Sequence, residues 1–461
     1  MYSSILTSSE METIQKLINI SRTSVCFLTP SLKAPWTRML SRSCSSSSSE
    51  KQSPRPSILR HLVSKIIATG PITVAEYMRE VLTNPVSGYY VKNDMLGADG
   101  DFITSPEISQ IFGELLGVWC VSEWMAAGKP KTFQLVELGP GRGSLTSDIL
   151  RVFSQLQSVL CGVSVSVHLV EVSPKLSEVQ AHSLVGGTTQ VCVSEEESVY
   201  RTGTTHTGVP VSWYRRTDDI PRGFSIFLAH EFFDALPIHK FQRTEKGWRE
   251  VMVDIDPDKR DKLRFVVFPA PTLASTTLIQ ADEPRQHVEV CAEGGVIVQK
   301  LAARISEDGG AALIADYGHN GTKTDTFRGF KGHKLHDVLQ DPGSADLTAD
   351  VDFSYLKKMA GEAMVCFGPI TQKDFLKNMG IDARLQVLLR SCKDSSTQAQ
   401  LLHGYSMLTD PEKMGHRFQF MSLLHPSRLA QPEEEKGVRM QRRTKSTAPL
   451  PVAGFTELGL N

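Results

Sequence analysis

The order of hydrophobic and polar positions predicts a helical N-terminal part. Apolar residues at helical spacing from Ile58 to Ile67 indicate a first helix, and a capping box of Thr73 and Glu76 begins a second one. A third helix is predicted from a cap at Ser105 and a proline in its first turn, followed by apolar residues at positions 108, 111, 112, 115, 116 and 119.

After the third helix, short apolar runs alternate with segments of helical periodicity. A strand, a glycine-rich loop and a helix are predicted over residues 132–156, and strict alternation of apolar residues predicts a second strand that ends at Glu171. Two further buried strands are predicted over 224–229 and 311–315. Strands that alternate with helices predict an α/β fold with a mainly parallel sheet.

Composition narrows the class of protein. The 461 residues are 40% hydrophobic and 22% charged, with a formal net charge of −1, which is typical of a globular protein. This balance gives no general attraction to nucleic acid or to an anionic membrane. No stretch reaches the roughly 20 predominantly apolar residues that a membrane span needs. The length allows two or three domains.

Charge is distributed differently at the N-terminus. Residues 13–49 contain no Asp or Glu but five Lys or Arg among many serines. This composition predicts a transit peptide over residues 1–49, and a basic disordered tail is the alternative.

No metal site is predicted. The eight cysteines include no Cys-x-x-Cys pair and no spacing to histidine that would close a zinc site.

The glycine-rich loop is the first candidate for chemistry. Its sequence contains Glu137, Gly139, Gly141 and Gly143 between the predicted strand and helix. Glycines let the backbone pass close to a ligand, and the following helix offers free amide donors. No Lys-Ser/Thr pair follows, which excludes a nucleotide-triphosphate loop, and Ser144 occupies the third glycine position of the nicotinamide pattern. The remaining interpretations are a site for S-adenosylmethionine and a tight turn.

Acidic residues follow the next two strands. Glu171 ends the strand after the glycine loop, where a carboxylate would accept both ribose hydroxyls of a nucleoside-containing cofactor. Glu231 and Asp234 follow the strand over 224–229 and therefore lie near the carboxyl end of the sheet. Two carboxylates there suit a cationic substrate such as an arginine guanidinium, and Glu231 is a candidate proton acceptor. A helix-terminal acid and a solvated charge are the structural alternative.

Several longer motifs together resemble the MidA-like family of methyltransferases. They are GYYVKNDMLGADGDFITSPEISQIFGELLG (88–117), LVELGPGRGSL, LAHEFFDALPIHKF, ALIADYGH (312–319), DPGSADLTADVDF (341–353) and TQKDFLKNMGI (371–381). They occur in the family's order between about residues 58 and 425.

The resemblance implies a class I, Rossmann-like methyltransferase that uses S-adenosyl-L-methionine in the mitochondrial matrix. Its mitochondrial members are complex I assembly factors that methylate arginine. The resemblance therefore implies symmetric dimethylation of an arginine on a complex I matrix-arm subunit. Transferred by position, it assigns cofactor binding to Glu137, Gly139, Gly141, Gly143 and Glu171, catalysis to Glu231 and Asp234, and substrate binding or site closure to Asp101, Thr104, Ser105, Glu107 and His230. Helix capping remains an alternative for Ser105 and Glu107.

The expected division of the chain follows from these patterns. We predict a transit peptide (1–49), an N-terminal helical module (50–130), a first part of the core (131–325), a helical insertion or lid (326–380), the end of the core (381–428) and a flexible tail (429–461). Two other functions stay open: an assembly chaperone that keeps the fold without catalysis, and a nicotinamide oxidoreductase, which Ser144 disfavours.

Overall fold

The computed structural model describes residues 58–92, 103–185, 190–191, 197–259, 261–428 and 451–456. The predicted transit peptide and Asp101 lie outside these described residues.

The described residues form strands and helices of very different lengths. The strands are β1 (Ile72–Thr73), β2 (Thr132–Leu138), β3 (Ser164–Val170), β4 (Gln190–Val191), β5 (Val199–Thr204), β6 (Pro210–Tyr214), β7 (Ser225–His230), β8 (His239–Thr244), β9 (Gly247–Ile255), β10 (Leu263–Val267), β11 (His287–Val290), β12 (Gly310–His319), β13 (Arg328–Lys331), β14 (Lys334–His336), β15 (Asp346–Thr348), β16 (Val351–Asp352), β17 (Val365–Thr371) and β18 (Phe418–Leu424). The helices are α1 (Ile58–Thr69), α2 (Val74–Thr83), α3 (Tyr89–Lys92), α4 (Ser105–Ile108), α5 (Gln110–Ala126), α6 (Ser144–Gln155), α7 (Pro174–Val185), α8 (Leu273–Thr277), α9 (Ala292–Asp308), α10 (Phe353–Ala360), α11 (Gln372–Asn378), α12 (Ile381–Ser391) and α13 (Ser395–Thr409). Among the described helices, none is long and apolar enough to cross a membrane.

The main sheet confirms the predicted α/β fold. Its strand order is β17-β18-β12-β7-β2-β3-β6-β5-β4, with β16 beside β12. The five central strands from β12 to β6 are parallel to one another, while the strands at both edges are antiparallel. Successive residues of a strand face opposite sides, so Leu135 joins one hydrophobic core with α5 and α6, whereas Val136 joins a second core with α9 and α10. Helices therefore cover both faces, as parallel sheets require.

A second, antiparallel sheet lies beside the main one. It has the order β1-β9-β8-β11, with β10 paired to β9. Helices α1 and α2 share one apolar core with residues of β9, β10 and β15. The sequence predicts connections or sheet-edge elements for residues 182–223 and 254–287, and these residues supply β5, β6 and β10.

Three sequence-based expectations differ from the structure. Thr104, and not Ser105, caps α4, and the third helix is broken because the side chain of Ser109 accepts the Ile111 N–H at 3.3 Å and starts α5. The segment 326–380 contains strands β13–β17 as well as helices, and β17 pairs antiparallel with β18 in the main sheet.

The third difference concerns the predicted tail. Val452 and Ala453 are buried in the main core, and the Phe455 ring lies against Phe375 with centroids 5.5 Å apart. These apolar side chains fix residues 451–456 to α11, so this part of the predicted flexible tail is packed.

Candidate functional site

The glycine loop joins β2 to α6 at the carboxyl end of the sheet. Gly139 and Gly143 have φ angles of +62° and +82°, a backbone conformation that side chains with a Cβ rarely adopt. A Cβ on Gly139 would approach the Phe232 ring to 2.9 Å. The Gly139 N–H donates to the Val170 carbonyl at 3.0 Å, which ties the loop to β3. The loop therefore has the close-packed, side-chain-free backbone that a cofactor cradle needs.

Glu137 lies behind this loop, buried in β2. The Thr146 hydroxyl in the first turn of α6 donates to its carboxylate. Burial raises the pKa of Glu137 to about 7, although the Thr146 hydrogen bonds oppose that rise. This contact fixes the strand relative to the helix on either side of the loop, and a direct contact of Glu137 with the cofactor stays a prediction.

Glu171 follows β3 and faces the loop region. The Ser173 N–H donates to its Oε1 at 2.7 Å, and Gln180 Nε2 donates to its Oε2 at 3.0 Å. Burial raises the pKa of this carboxyl, and the two hydrogen bonds together with the backbone N–H of Val172 oppose the rise. A carboxylate offers about four acceptor positions, so acceptor capacity remains for a ribose hydroxyl.

The acidic segment after β7 is held by a residue that the sequence analysis did not single out. Asp316 in β12 is fully buried, and its Oδ2 accepts the backbone N–H groups of Phe232, Phe233 and Asp234 at 3.1, 2.9 and 3.3 Å. Glu231 precedes this turn with a φ of +48°, and its N–H donates to the Ala315 carbonyl. Asp316 thus joins the ends of β7 and β12 and orients both predicted catalytic acids.

Three carboxyl groups are crowded in this buried place. Burial, and then the negative charge of Asp234, raise the pKa values of Glu231 and Asp316 well above their usual range. Burial also raises the pKa of Asp234, while a 2.8 Å hydrogen bond from the Thr348 hydroxyl opposes it. Desolvation and like-charge repulsion both disfavour the ionised forms, so a cation that binds here would relieve the repulsion.

Two polar atoms in this cluster have no hydrogen-bond partner among the described residues, Glu231 Oε1 and His230 Nε2. They lie 3.6 Å apart. The His230 ring stacks on Phe418 at 5.7 Å and meets Phe112 edge-on, and burial lowers its pKa to about 3, so the imidazole is neutral. An acceptor oxygen and a neutral ring nitrogen without partners are the groups that a bound ligand would satisfy.

The N-terminal motif contributes to the same site. Glu107 accepts the Thr104 N–H at 3.1 Å in a capping box, so the capping alternative applies to this pair. The backbone N–H of the buried Ser105, at the first position of α4, lies close enough to the Glu231 carboxylate to oppose the rise in its pKa. The structure therefore brings α4 against the predicted catalytic acid. Roles of Thr104, Ser105 and Glu107 in closing the site remain predictions.

Sequence reasoning missed further residues around the site. Tyr90 donates its hydroxyl to Asp346 at 2.7 Å, and the Ser173 hydroxyl donates to the Tyr90 carbonyl. Both Tyr90 and Asp346 occur in motifs used for the family resemblance. They are 256 residues apart, so no local sequence pattern indicates that they form a hydrogen bond. Within the described ranges, no three His, Cys, Asp or Glu side chains are arranged to hold a metal ion.

The arrangement defines a class of protein. In the parallel sheet, β2 is followed by a glycine loop, its neighbour β3 by the carboxylate of Glu171, and its other neighbour β7 by the acidic cluster, all at the edge where open α/β sheets bind ligands. This is the arrangement of a Rossmann-like methyltransferase, and binding of a nucleoside-containing methyl donor by the loop and Glu171 stays a prediction.

Comparison with known proteins agrees with that class. Residues 115–370 match the family described as putative S-adenosyl-L-methionine-dependent methyltransferase. A relative from Danio rerio is 72% identical over 92% of this chain and 96% of its own, and one from Homo sapiens is 60% identical over 90% and 93%. Both are named protein arginine methyltransferase NDUFAF7, mitochondrial. The chain therefore belongs to this family of S-adenosyl-L-methionine-dependent methyltransferases, and S-adenosyl-L-methionine is its cofactor.

A solved structure supports the fold. A Burkholderia thailandensis protein, crystallised with S-adenosyl-homocysteine, superposes with a TM-score of 0.64 at 23% sequence identity, covering 80% of this chain and 92% of its own. At this identity the similarity concerns the fold alone.

The role of Asp316 leads to a stability prediction. Asp316→Ala would leave three buried backbone N–H groups without their acceptor, and we expect a loss of about 2–4 kcal/mol in the free energy of unfolding. Asp316→Asn has the same shape and keeps one acceptor oxygen, so we expect it to lose less than half as much free energy of unfolding. Urea denaturation of the unchanged protein and the two variants measures these losses. Equal losses for Ala and Asn would contradict the proposed hydrogen-bonding role.

Proposed function

We propose that this chain methylates arginine in a protein of the mitochondrial matrix, with symmetric dimethylarginine on a complex I matrix-arm subunit as its product. The names of the relatives support protein arginine as the acceptor and the mitochondrion as the location. The MidA-like resemblance supports the complex I subunit, the symmetric product and the matrix. We also propose that residues 1–49 direct import.

The observation that carries the substrate class is the cluster of three buried carboxyl groups, which has no cationic partner among the described residues. Glu231, Asp234 and Asp316 form no ion pair with a described Lys or Arg. Arg328 is near enough to lower the pKa of Asp234, but its guanidinium donates to Asp350 at 2.6 Å. A substrate guanidinium would supply the missing positive charge and a fork of N–H donors.

The protein's residues would act by positioning and by accepting a proton. Asp234, fixed by Thr348 and Asp316, would bind one edge of the guanidinium, and Glu231 would bind the other and accept the proton that the attacking nitrogen loses. The bound cofactor supplies an electrophilic methyl group: the new N–C bond forms as the S–C bond breaks, which leaves a neutral thioether. Neutral His230 would contact the guanidinium without adding a repelling positive charge.

A pair of substitutions separates the two halves of the site. We expect Glu231→Ala to abolish methyl transfer and to leave the affinity for S-adenosyl-homocysteine within about twofold, because Glu231 lies on the substrate side. Gly139→Val should abolish cofactor binding, since a Cβ there meets Phe232 and the backbone φ is unfavourable for valine. Isothermal titration with S-adenosyl-homocysteine measures the cofactor affinity of both variants. Equal loss of cofactor affinity in the two variants would refute this division.

The raised pKa values predict that guanidinium binding releases protons. Burial and mutual repulsion raise the pKa values of the acidic cluster in the free protein, so these carboxyl groups hold protons at a higher pH than free carboxyl groups do, and a bound cation lowers these pKa values. Titration of the S-adenosyl-homocysteine complex with N-acetylarginine amide, in phosphate and in Tris at pH 7, should show proton release. The release should decrease as the pH is raised, because more of the carboxyl groups are then ionised before the ligand binds. Glu231→Gln should release fewer protons, and heats independent of the buffer at pH 7 would contradict the prediction.

The proposed activity is tested by transfer of labelled methyl groups. The protein is incubated with labelled S-adenosylmethionine and matrix proteins from cells that lack it, and the acceptor is hydrolysed to identify the methylated amino acid. We expect label in symmetric dimethylarginine of one complex I subunit, and none with Glu231→Ala. If the protein binds the cofactor but transfers no methyl group, the assembly-chaperone alternative would be favoured. Rescue of complex I assembly by folded Glu231→Ala would also favour the assembly-chaperone alternative.

A further inference from the structure

Gln180 connects the two parts of the proposed cofactor site. This side chain of α7 is fully buried, and its Nε2 donates to the Gly141 carbonyl of the glycine loop at 2.7 Å and to Glu171 Oε2 at 3.0 Å. Its Oε1 accepts the indole N–H of Trp213 at 2.9 Å. One amide group therefore bonds the loop after β2, the carboxylate after β3 and a residue of β6.

The orientation of this amide is determined by its partners. Gly141 and Glu171 offer only acceptors, and the indole of Trp213 offers only a donor. With the amide reversed, an oxygen would face two acceptors and an NH₂ group would face an N–H. Buried on all sides, Gln180 has a single arrangement that satisfies its hydrogen bonds.

The stem of Gln180 lies close to the end of the glycine loop. A Cβ on Gly143 would lie 3.6 Å from Gln180 Cγ, at ordinary van der Waals distance, and 3.6 Å from Leu184 of the same helix. Leu184 of α7 and Leu145 of α6 belong to one hydrophobic core, so apolar packing joins the two helices, and the amide connects the loop to Glu171.

We propose that Gln180 is a positioning residue for the cofactor, which sets the spacing between the glycine loop and the Glu171 carboxylate. The two would contact different parts of the bound molecule, so their spacing must match its length. Gln180 also donates a hydrogen bond to the ionised carboxylate, which is the form that accepts both ribose hydroxyls. The inference rests on the proposed cofactor site.

A double-mutant cycle tests whether Gln180 acts through Glu171. Gln180→Met keeps the unbranched shape and removes both polar groups. We expect it to raise the dissociation constant for S-adenosyl-homocysteine about tenfold in the otherwise unchanged protein. In the Glu171→Ala background we expect an increase of less than about threefold, because the bond to Glu171 is already absent and only the bonds to Gly141 and Trp213 are then lost. Isothermal titration of the four proteins gives these ratios, and it needs no catalytic turnover.

Two further variants separate positioning from packing. Leu184→Ala removes apolar contact from the same helix and loop, so its effect on the dissociation constant should be the same in both backgrounds. Trp213→Phe keeps an aromatic ring but removes the donor to Gln180 Oε1, and we expect about threefold weaker binding that again depends on Glu171. This variant tests the proposal even where Gln180→Met does not fold.

The outcomes are distinguishable. Equal effects of Gln180→Met in the two backgrounds, or an unchanged dissociation constant, would overturn the role of Gln180 and leave the cofactor site intact. Unchanged binding by Glu171→Ala alone would refute the proposed cofactor site and this inference with it. A coupled loss for Gln180→Met and Trp213→Phe, with an uncoupled one for Leu184→Ala, would support both.

Discussion

The carboxylate of Asp316 is the contact on which the acidic pocket depends. It accepts three consecutive N–H groups after β7, and these groups have no strand partner because the chain leaves the sheet there. One oxygen thereby satisfies a buried turn that begins with Glu231 at positive φ. The arrangement leaves Glu231 Oε1 without a partner beside His230, so the backbone is fixed while the oxygen of the proposed proton acceptor stays available.

The parts of this site that the sequence predicts are those set by local pattern and strand direction. Glycines between an apolar run and a helix mark the loop, and Glu171 and Glu231 are found because each follows a predicted strand. Parallel strands bring their carboxyl ends to one edge, which places these residues near each other. The capping box of Thr73 and Glu76 was likewise predicted from its spacing and is present.

The remaining parts depend on contacts between distant residues. Asp316 and Tyr90 act through partners more than 80 residues away, and no periodicity reports such a pairing. From the sequence, Gln180 resembles an exposed polar residue of an amphipathic helix. In the structure it is buried because it contacts Trp213 and the glycine loop. The break at Ser109 was missed for a different reason: apolar spacing continues across it, and only the local side-chain bond to the Ile111 N–H shows the interruption.

The two halves of the site differ in how their buried carboxyl groups are partnered. On the proposed cofactor side, Glu171 accepts hydrogen bonds from Ser173 and Gln180, which oppose the rise in its pKa that burial causes. On the proposed substrate side, Glu231 and Asp234 repel each other in a buried environment, and Glu231 keeps an unpaired oxygen. Uncharged ligands would leave that repulsion in place, whereas a guanidinium would remove it, and a buried pair of opposite charges interacts strongly at short range. The proposed selectivity for a cationic side chain would therefore follow from buried carboxyl groups that the fold leaves without a cationic partner, and the hydrogen bonds of Asp316 hold the backbone between them in place.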